Sequence, residues 1–326
     1  MLKNRSELYI FILLGSVTVI WGLNVIMIKY LSTIFPTIQL AAWRIVIAAI
    51  FLLFFTSRYW KPALRSMSKK SWIYISLIAL TSIFAHQIWM AQGLQLTTGS
   101  VASLILALNP LTTILLAMVF MGEKFEWKKF IGVGLGFFGV IIVVGQPAAE
   151  GSSVFLGDSI IFLAMLSYVA GGLLIKKAAE DVDILTITTF SHVLGALMLL
   201  IAWAFAPLAG QPIVYEVSGF TYFVLFFSGS AATALCTTLW NIGIKEIGPS
   251  RTTMFLNLMP LSSLVFAAIF LNEQLKWIYA IALILIITGI YIGSVYKRLR
   301  KSPPIAVPSS MPTLPAKDDL PTNEIR

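Results

Sequence analysis

The chain has 326 residues, of which 58% are hydrophobic and 11% charged, with a formal net charge of +9. A water-soluble domain carries about 25% charged residues, so this composition excludes a soluble globule and puts the chain in a membrane. The single cysteine, Cys236, excludes an intrachain disulfide framework and a cysteine metal cluster, and the composition argues against nucleic acid as a partner despite the basic charge.

A helix needs about 20 apolar residues to cross the hydrocarbon core. Ten such stretches follow one another, near 8–29, 37–57, 72–93, 99–121, 127–146, 156–177, 184–206, 219–242, 250–271 and 277–296. They are too long and continuous for the ten-residue alternating strands of a barrel. The fold class expected is an all-α polytopic membrane protein with ten transmembrane helices. Residues 1–7 form a short N-terminus with Lys3 and Arg5. The first apolar run is too long for a secretory signal and has no small-residue cleavage site before Trp21, so it reads as a retained anchor.

Polar and aromatic residues interrupt the spans at chosen places. The first span holds Trp21 and Asn24, and the second Arg44, the one strongly basic side chain well within a span. The third holds His86 and Trp89; the fourth Asn109 followed by Pro110; the sixth Tyr168; the seventh His192. In the eighth, Thr233, Thr237, Trp240 and Asn241 share one helical face. The ninth has Asn257 three residues before Pro260. After Lys301, prolines at 303, 304, 308, 312, 315 and 321 predict a disordered cytoplasmic tail over 302–326.

Lysine and arginine bias in short loops sets orientation. With the N-terminus in the cytoplasm, 20 of the 23 basic residues fall on the cytoplasmic side, and only Lys29 and Lys276 fall outside. Both termini are therefore expected in the cytoplasm.

The chain partly matches itself at an offset of 150. Gly93, Ser100, Leu106, Leu108 and Pro110-Leu111 meet identical residues at 243, 250, 256, 258 and 260–261, and the match runs on through Ala117, Phe120, Glu123, Trp127 and Gly139. The window 93–142 holds 14 identities with 243–292. A slightly smaller offset pairs Lys29 with Lys176 and Arg44 with His192. The expected repeats are 8–146 and 156–297, of five spans each. Five is odd, so the second repeat enters the membrane from the other side. Inverted repeats are a mark of secondary transporters, whose substrate site lies at the repeat interface.

Gly122-Glu123-Lys124-Phe125, Trp127, Gly132 and Gly139-Val140 are echoed by Asn272-Glu273-Gln274-Leu275, Trp277, Ala282 and Gly289-Ile290. With Trp21-Gly22 and Arg44, these residues resemble the drug/metabolite transporter superfamily, specifically the ten-span EamA-type exporters, over about residues 8–297. The resemblance implies export of small metabolites, often amino acids, or of drugs, and a bacterial cytoplasmic membrane.

The candidate cavity residues are Trp21, Asn24, Arg44, His86, Trp89, Asn109, Tyr168, His192, Thr237, Trp240 and Asn257. A mid-membrane arginine costs about 2.5–3.5 kcal/mol. Arg44 must therefore face a cavity or bond to carbonyls, and its planar fork suits a substrate carboxylate. A structural lock at the external end is the other reading. His86 and His192 either relay a proton or donate to helix carbonyls. Pro110 and Pro260 are read as a symmetric pair of mid-helix kinks, each removing an N–H. Glu123 and Glu273 sit at helix ends and read as structural, through salt bridges to nearby lysines. Gly132-x-x-x-Gly136 allows a close helix approach.

No Walker A, GxSxG or HExxH sequence occurs, and every Asp and Glu falls in a connector, tail or helix end. No enzyme activity, cofactor or metal is expected. The function expected is a carrier working by alternating access, either uncoupled or as an exchanger, with a small amphipathic metabolite such as an amino acid as substrate, acting as a monomer or homodimer. The alternatives are a multidrug exporter of lipophilic cations, using Trp21, Trp89 and Trp240 as π faces, and a non-transporting scaffold or sensor.

Overall fold

The computed structural model describes residues 2–96, 105–106, 108–144, 155–206, 217–271 and 277–295. The tail 302–326, Glu273, Lys276 and the start of the fourth span lie outside them. Ten helical segments fall on the expected stretches within these residues, with no strand among them. They are α1 (Leu2–Ser32), α2 (Thr37–Ser66), α3 (Lys69–Ile78, Ala79–Ala85 and His86–Leu96), α4 (Asn109–Met121) and α5 (Trp127–Val144). The second five are α6 (Phe155–Ala178), α7 (Ile184–Ala204), α8 (Gly219–Phe227, Ser228–Leu235 and Cys236–Ile247), α9 (Pro249–Thr252, Thr253–Asn257 and Leu258–Leu271) and α10 (Ile278–Ile290 and Tyr291–Val295). Seven of them are long and apolar enough to cross a bilayer, and 109–121 and 280–293 are shorter apolar helices. The protein is all-α and polytopic.

Local chemistry sets several boundaries. Ser68, Asp183 and Ser218 cap α3, α7 and α8, each accepting from backbone N–H groups of the first turn. Gly122 ends α4 at φ 64°, and Gly248 separates α8 from α9 at φ 86°, both conformations that glycine adopts without strain. Two boundaries depart from expectation. Residues 2–7 are part of α1 rather than a separate N-terminus, and α2 runs on to Ser66. A helix once nucleated adds one bond per residue, so it continues until a competing cap, here Ser68, starts the next.

The helix pairings repeat under exchange of each helix for the one five along. α1 packs on α8 and α9, and α6 on α3 and α4; α2 packs on α8, and α7 on α3. α2 and α7 pack on each other, as do α5 and α10. Both of these self-paired couples are antiparallel. Trp43 meets Trp203 while Thr56 meets Thr189, so one number rises as the other falls. Gly132 lies against Gly289, and Gly139 against Ala282. A Cβ on Gly132 would stand 2.5 Å from the Gly289 carbonyl oxygen. The glycines let these two backbones touch.

The third and eighth spans are not continuous α-helices. Each contains a π-helical stretch, Ala79–Ala85 in α3 and Ser228–Leu235 in α8. The sequence carries no local signal for them. Wide π turns are frequent at functional sites, and in lipid every backbone carbonyl needs a donor. Side chains of counterpart helices bond to both stretches. Ser167 of α6 donates to the Thr81 carbonyl at 2.7 Å, and Trp21 of α1 donates through Nε1 to the Ala232 carbonyl at 2.8 Å.

Pro260 lies midway along α9, just after the 3-10 stretch Thr253–Asn257, and Pro110 lies in the first turn of α4 as described from Asn109. At either place the proline supplies no N–H to the helix.

Candidate functional site

A cavity of about 320 Å³ lies where α1–α4 meet α6–α9. That is near the lower end of the range of about 300–1,000 Å³ for small-molecule sites. Ile78, Ile175, Trp240 and Ile244, members of the largest buried apolar cluster, form one wall, and Ile45 and Ile83 another. Trp21, Asn24, Arg44, His86, Asn109, Tyr168, His192, Thr237, Trp240 and Asn257 all line it, and so does Pro260. Trp89 and Pro110 do not line it. Thr233 and Asn241, on the helical face of Thr237 and Trp240, line it too, as do Thr113 and Ser263, which follow the two prolines; Ser82, Gln87, Ser191 and Thr253 add polar groups that the sequence did not single out.

Arg44 is 7% exposed. The π-helical stretch of α8 holds its head: Nε donates to Ser228 Oγ at 2.8 Å and Nη2 to Thr233 Oγ1 at 3.2 Å. Ser228 Oγ passes its own proton to Asn24 Oδ1 at 2.6 Å, and Thr233 Oγ1 donates to the Ser228 carbonyl at 2.7 Å. These bonds run from a hydroxyl to an oxygen acceptor, so both hydroxyls are left to accept from the guanidinium. A guanidinium has five N–H donors, and two of them bond to described residues. Among the described residues no carboxylate pairs with it. The charge is held in place by neutral oxygens, with no neutralising carboxylate among the described residues.

His192, the counterpart of Arg44, is 3% exposed, and its Nδ1 donates to the Thr188 carbonyl of its own helix at 2.7 Å. Thr188 Oγ1 accepts from Asn241 Nδ2 at 2.9 Å, tying α7 to α8. His86 is half-buried and bonds across to α6, with Nδ1 3.0 Å from the Ala164 carbonyl oxygen and the ring 5.1 Å from that of Tyr168. Trp21 and Trp240 form a tilted pair at 5.0 Å. Asn109 Oδ1 accepts from Thr113 Oγ1 at 3.3 Å. Gly22 brings α1 against Ser263 of α9, where an added Cβ would stand 2.8 Å from the Ser263 nitrogen.

The end of the molecule holding the α4–α5 and α8–α9 connectors is clasped by polar bonds. Glu123 accepts from Lys129 Nζ at 2.7 Å and from Ser250 Oγ at 2.8 Å. Lys176 Nζ donates to the Lys245 carbonyl. At the same end Lys70 pairs with Asp181 at 2.8 Å and holds its carboxyl below the usual carboxylate range. The lysine partner expected for Glu123 is therefore Lys129.

A cavity with one cation, amide and hydroxyl groups and aromatic walls can bind an anionic group at one place and apolar or neutral groups elsewhere. Comparison with known proteins agrees with a carrier. The profile of the EamA-like transporter family matches residues 8–145 and again 155–295. The chain is 30% identical over 304 residues to the "Uncharacterized transporter YyaM" of Bacillus subtilis (strain 168), covering 91% of this chain and 97% of that one. It is 25% identical over 292 residues to the "Probable amino-acid metabolite efflux pump" of Escherichia coli (strain K12), covering 88% and 95%. A crystal structure with 17% identity shares the fold, with a TM-score of 0.74 over 89% of this chain and 99% of that chain.

Proposed function

The chain belongs to the EamA-like transporter family, and from that premise we propose that it exports a small carboxylate-bearing metabolite, most simply an amino acid, by alternating access through the cavity at Arg44. It is a multi-pass membrane protein and a transporter rather than an enzyme. The observation that carries the substrate class is the Arg44 guanidinium, sheltered in the cavity, held by Ser228 and Thr233, and with no carboxylate partner among the described residues. One buried cation suits one carboxylate through charge-assisted bonds. Sugar phosphates call for several cations, and no lysine lines the cavity among the described residues.

The antiparallel packing of α2 on α7 and α5 on α10 supports an inverted arrangement of two five-helix repeats, 8–146 and 156–297. The basic connectors support a cytoplasmic location for both termini, in a cell membrane. In this reading the Glu123–Ser250 and Lys176–Lys245 bonds are on the cytoplasmic side and part when the cavity opens there. The efflux pump named among the relatives favours the outward direction.

The test is transport in proteoliposomes with amino acids and their amides as paired substrates. Each charge-assisted bond contributes about 1.5–3 kcal/mol, so Arg44→Ala should raise KM for the carboxylate about 10- to 150-fold and leave the amide within a few-fold. Equal loss for both would make Arg44 a structural lock. Transport of lipophilic cations in place of amino acids would favour the aromatic faces of Trp21 and Trp240 as the site.

A further inference from the structure

We infer that His86 is a second recognition point in the cavity, where its Nε2 accepts a hydrogen bond from an amino group of the transported molecule. The inference rests on the proposal that Arg44 holds the carboxylate, since the two points together would define an amino acid by both of its polar ends.

The argument begins with the tautomer. His86 Nδ1 is 3.0 Å from the Ala164 carbonyl oxygen. A carbonyl only accepts, so Nδ1 carries the proton, and in the neutral ring Nε2 is left as a bare acceptor. Two residues one turn apart on α6, Ala164 and Tyr168, fix the ring from one side. His86 lines the cavity, and among the described residues no fully enclosed side-chain nitrogen or oxygen lacks a partner. Nε2, with no partner among the described residues, is therefore not fully enclosed, and we take it to face the cavity that its residue lines.

The surroundings give this acceptor its use. The other titratable groups lining the cavity are Arg44 on α2, Tyr168 on α6 and His192 on α7; α4 contributes the uncharged Asn109 and Thr113. No carboxylate lines the cavity among the described residues. An ammonium entering it must find a neutral acceptor. Amides can flip and hydroxyls can rotate between accepting and donating, whereas a locked imidazole presents only its lone pair. His192 is the weaker candidate, because it is 3% exposed and folded back on its own helix.

The pseudo-symmetry points the same way. His86 is the first residue after the π-helical stretch of α3, and Cys236 is the first after that of α8. They are counterparts at the offset of 150. Cys236 is fully buried and does not line the cavity. The π stretches, their cross-helix donors and the glycine seam occur in both halves, as the fold requires. His86 and Arg44 occur in one half each, which is how groups serving an asymmetric ligand are distributed.

The first test leaves His86 itself unchanged. The full chain has two histidines, so ¹⁵N-histidine labelling in nanodiscs gives two ring systems, assigned with His192→Gln. The expected spectrum has Nδ1 protonated and Nε2 bare in His86, with the Nε2 resonance moving when a transported amino acid is added. A protonated Nε2, or one that ignores the ligand, overturns the inference. The second test is the transport ratio between an amino acid and its des-amino acid. His86→Phe keeps a ring against Tyr168 and should lower that ratio about tenfold, the equivalent of about 1.4 kcal/mol, and His86→Gln should restore part of it. A ratio that holds while both rates fall reduces His86 to a structural residue. Comparing the amino acid with its decarboxylated amine separates the two readings. If that pair is carried equally while amine and des-amino compounds are still distinguished, the Arg44 reading fails and the His86 reading stands.

Discussion

Replacing Gly132 with alanine tests whether the α5–α10 seam is a backbone contact. The added Cβ would stand 2.5 Å from the Gly289 carbonyl oxygen and 2.9 Å from both Cα and N of Gly293. All three neighbours are main chain, so no side chain can rotate away and the helices must part by about 1 Å. A gap of that size forfeits about a quarter to a half of each contact it opens, and forced overpacking costs about 1–3 kcal/mol. Against this, alanine removes unfolded-chain freedom worth about 0.4–1 kcal/mol. The net expectation is a loss of about 1–2 kcal/mol. Gly134→Ala is the control, because nothing lies within 4 Å of its Cβ position, and it should be neutral or stabilising. Reversible unfolding in mixed detergent micelles measures both. Equal midpoints for the two variants, or a Gly132→Ala protein more stable than Gly134→Ala, would refute the seam.

Three further outcomes follow from the bonds described. Trp21→Phe keeps the ring contact with Trp240 but withdraws the donor from the Ala232 carbonyl, and should lower stability by about 1 kcal/mol in the same unfolding assay. Asp183→Ala removes the cap of α7 and should cost about 1 kcal/mol. Glu123→Ala unties Ser250 from the α4–α5 connector and leaves Lys129, 7% exposed, without its nearest carboxylate. A cysteine at the cavity residue Thr253 should then react several-fold faster with an impermeant thiol reagent in inside-out vesicles, read against the buried Cys236 as background. An unchanged rate would show that Glu123 does not hold that end closed.

How much of this was legible in the sequence depends on what each feature costs in lipid. The spans were legible because hydrocarbon demands long apolar runs. Arg44, His86, His192, Asn24, Asn109 and Asn257 stood out because such groups in those runs need a polar surrounding, and all of them line the cavity. Thr253 went unnoticed for the opposite reason. Its hydroxyl bonds to the carbonyl of Pro249, four residues back on its own helix, so it can sit in any apolar helix without signalling a cavity. Gln87 carried a signal of the same kind as the asparagines and was passed over. Trp89 is as conspicuous in sequence as Trp21, yet Trp21 lines the cavity and bonds to the Ala232 carbonyl, while Trp89 does not line the cavity. The π stretches were illegible because Ser228-Gly229-Ser230 weakens a helix without choosing a wider turn, and Ala79–Ala85 carries no glycine or proline at all. The donors on α1 and α6 that favour the wider turn are distant in sequence.

The head-to-tail pairing of α2 with α7 and of α5 with α10 has a consequence for recognition. Two identical halves related in this way would present every cavity group twice, and such a site would suit a ligand that reads the same from either end. Joining the halves in one chain lets them diverge. An arginine faces the cavity where the other half has a histidine, and a histidine where the other half has a buried cysteine. The site thereby gains a direction, and a molecule with two unlike ends can be held in one sense and not in the reverse.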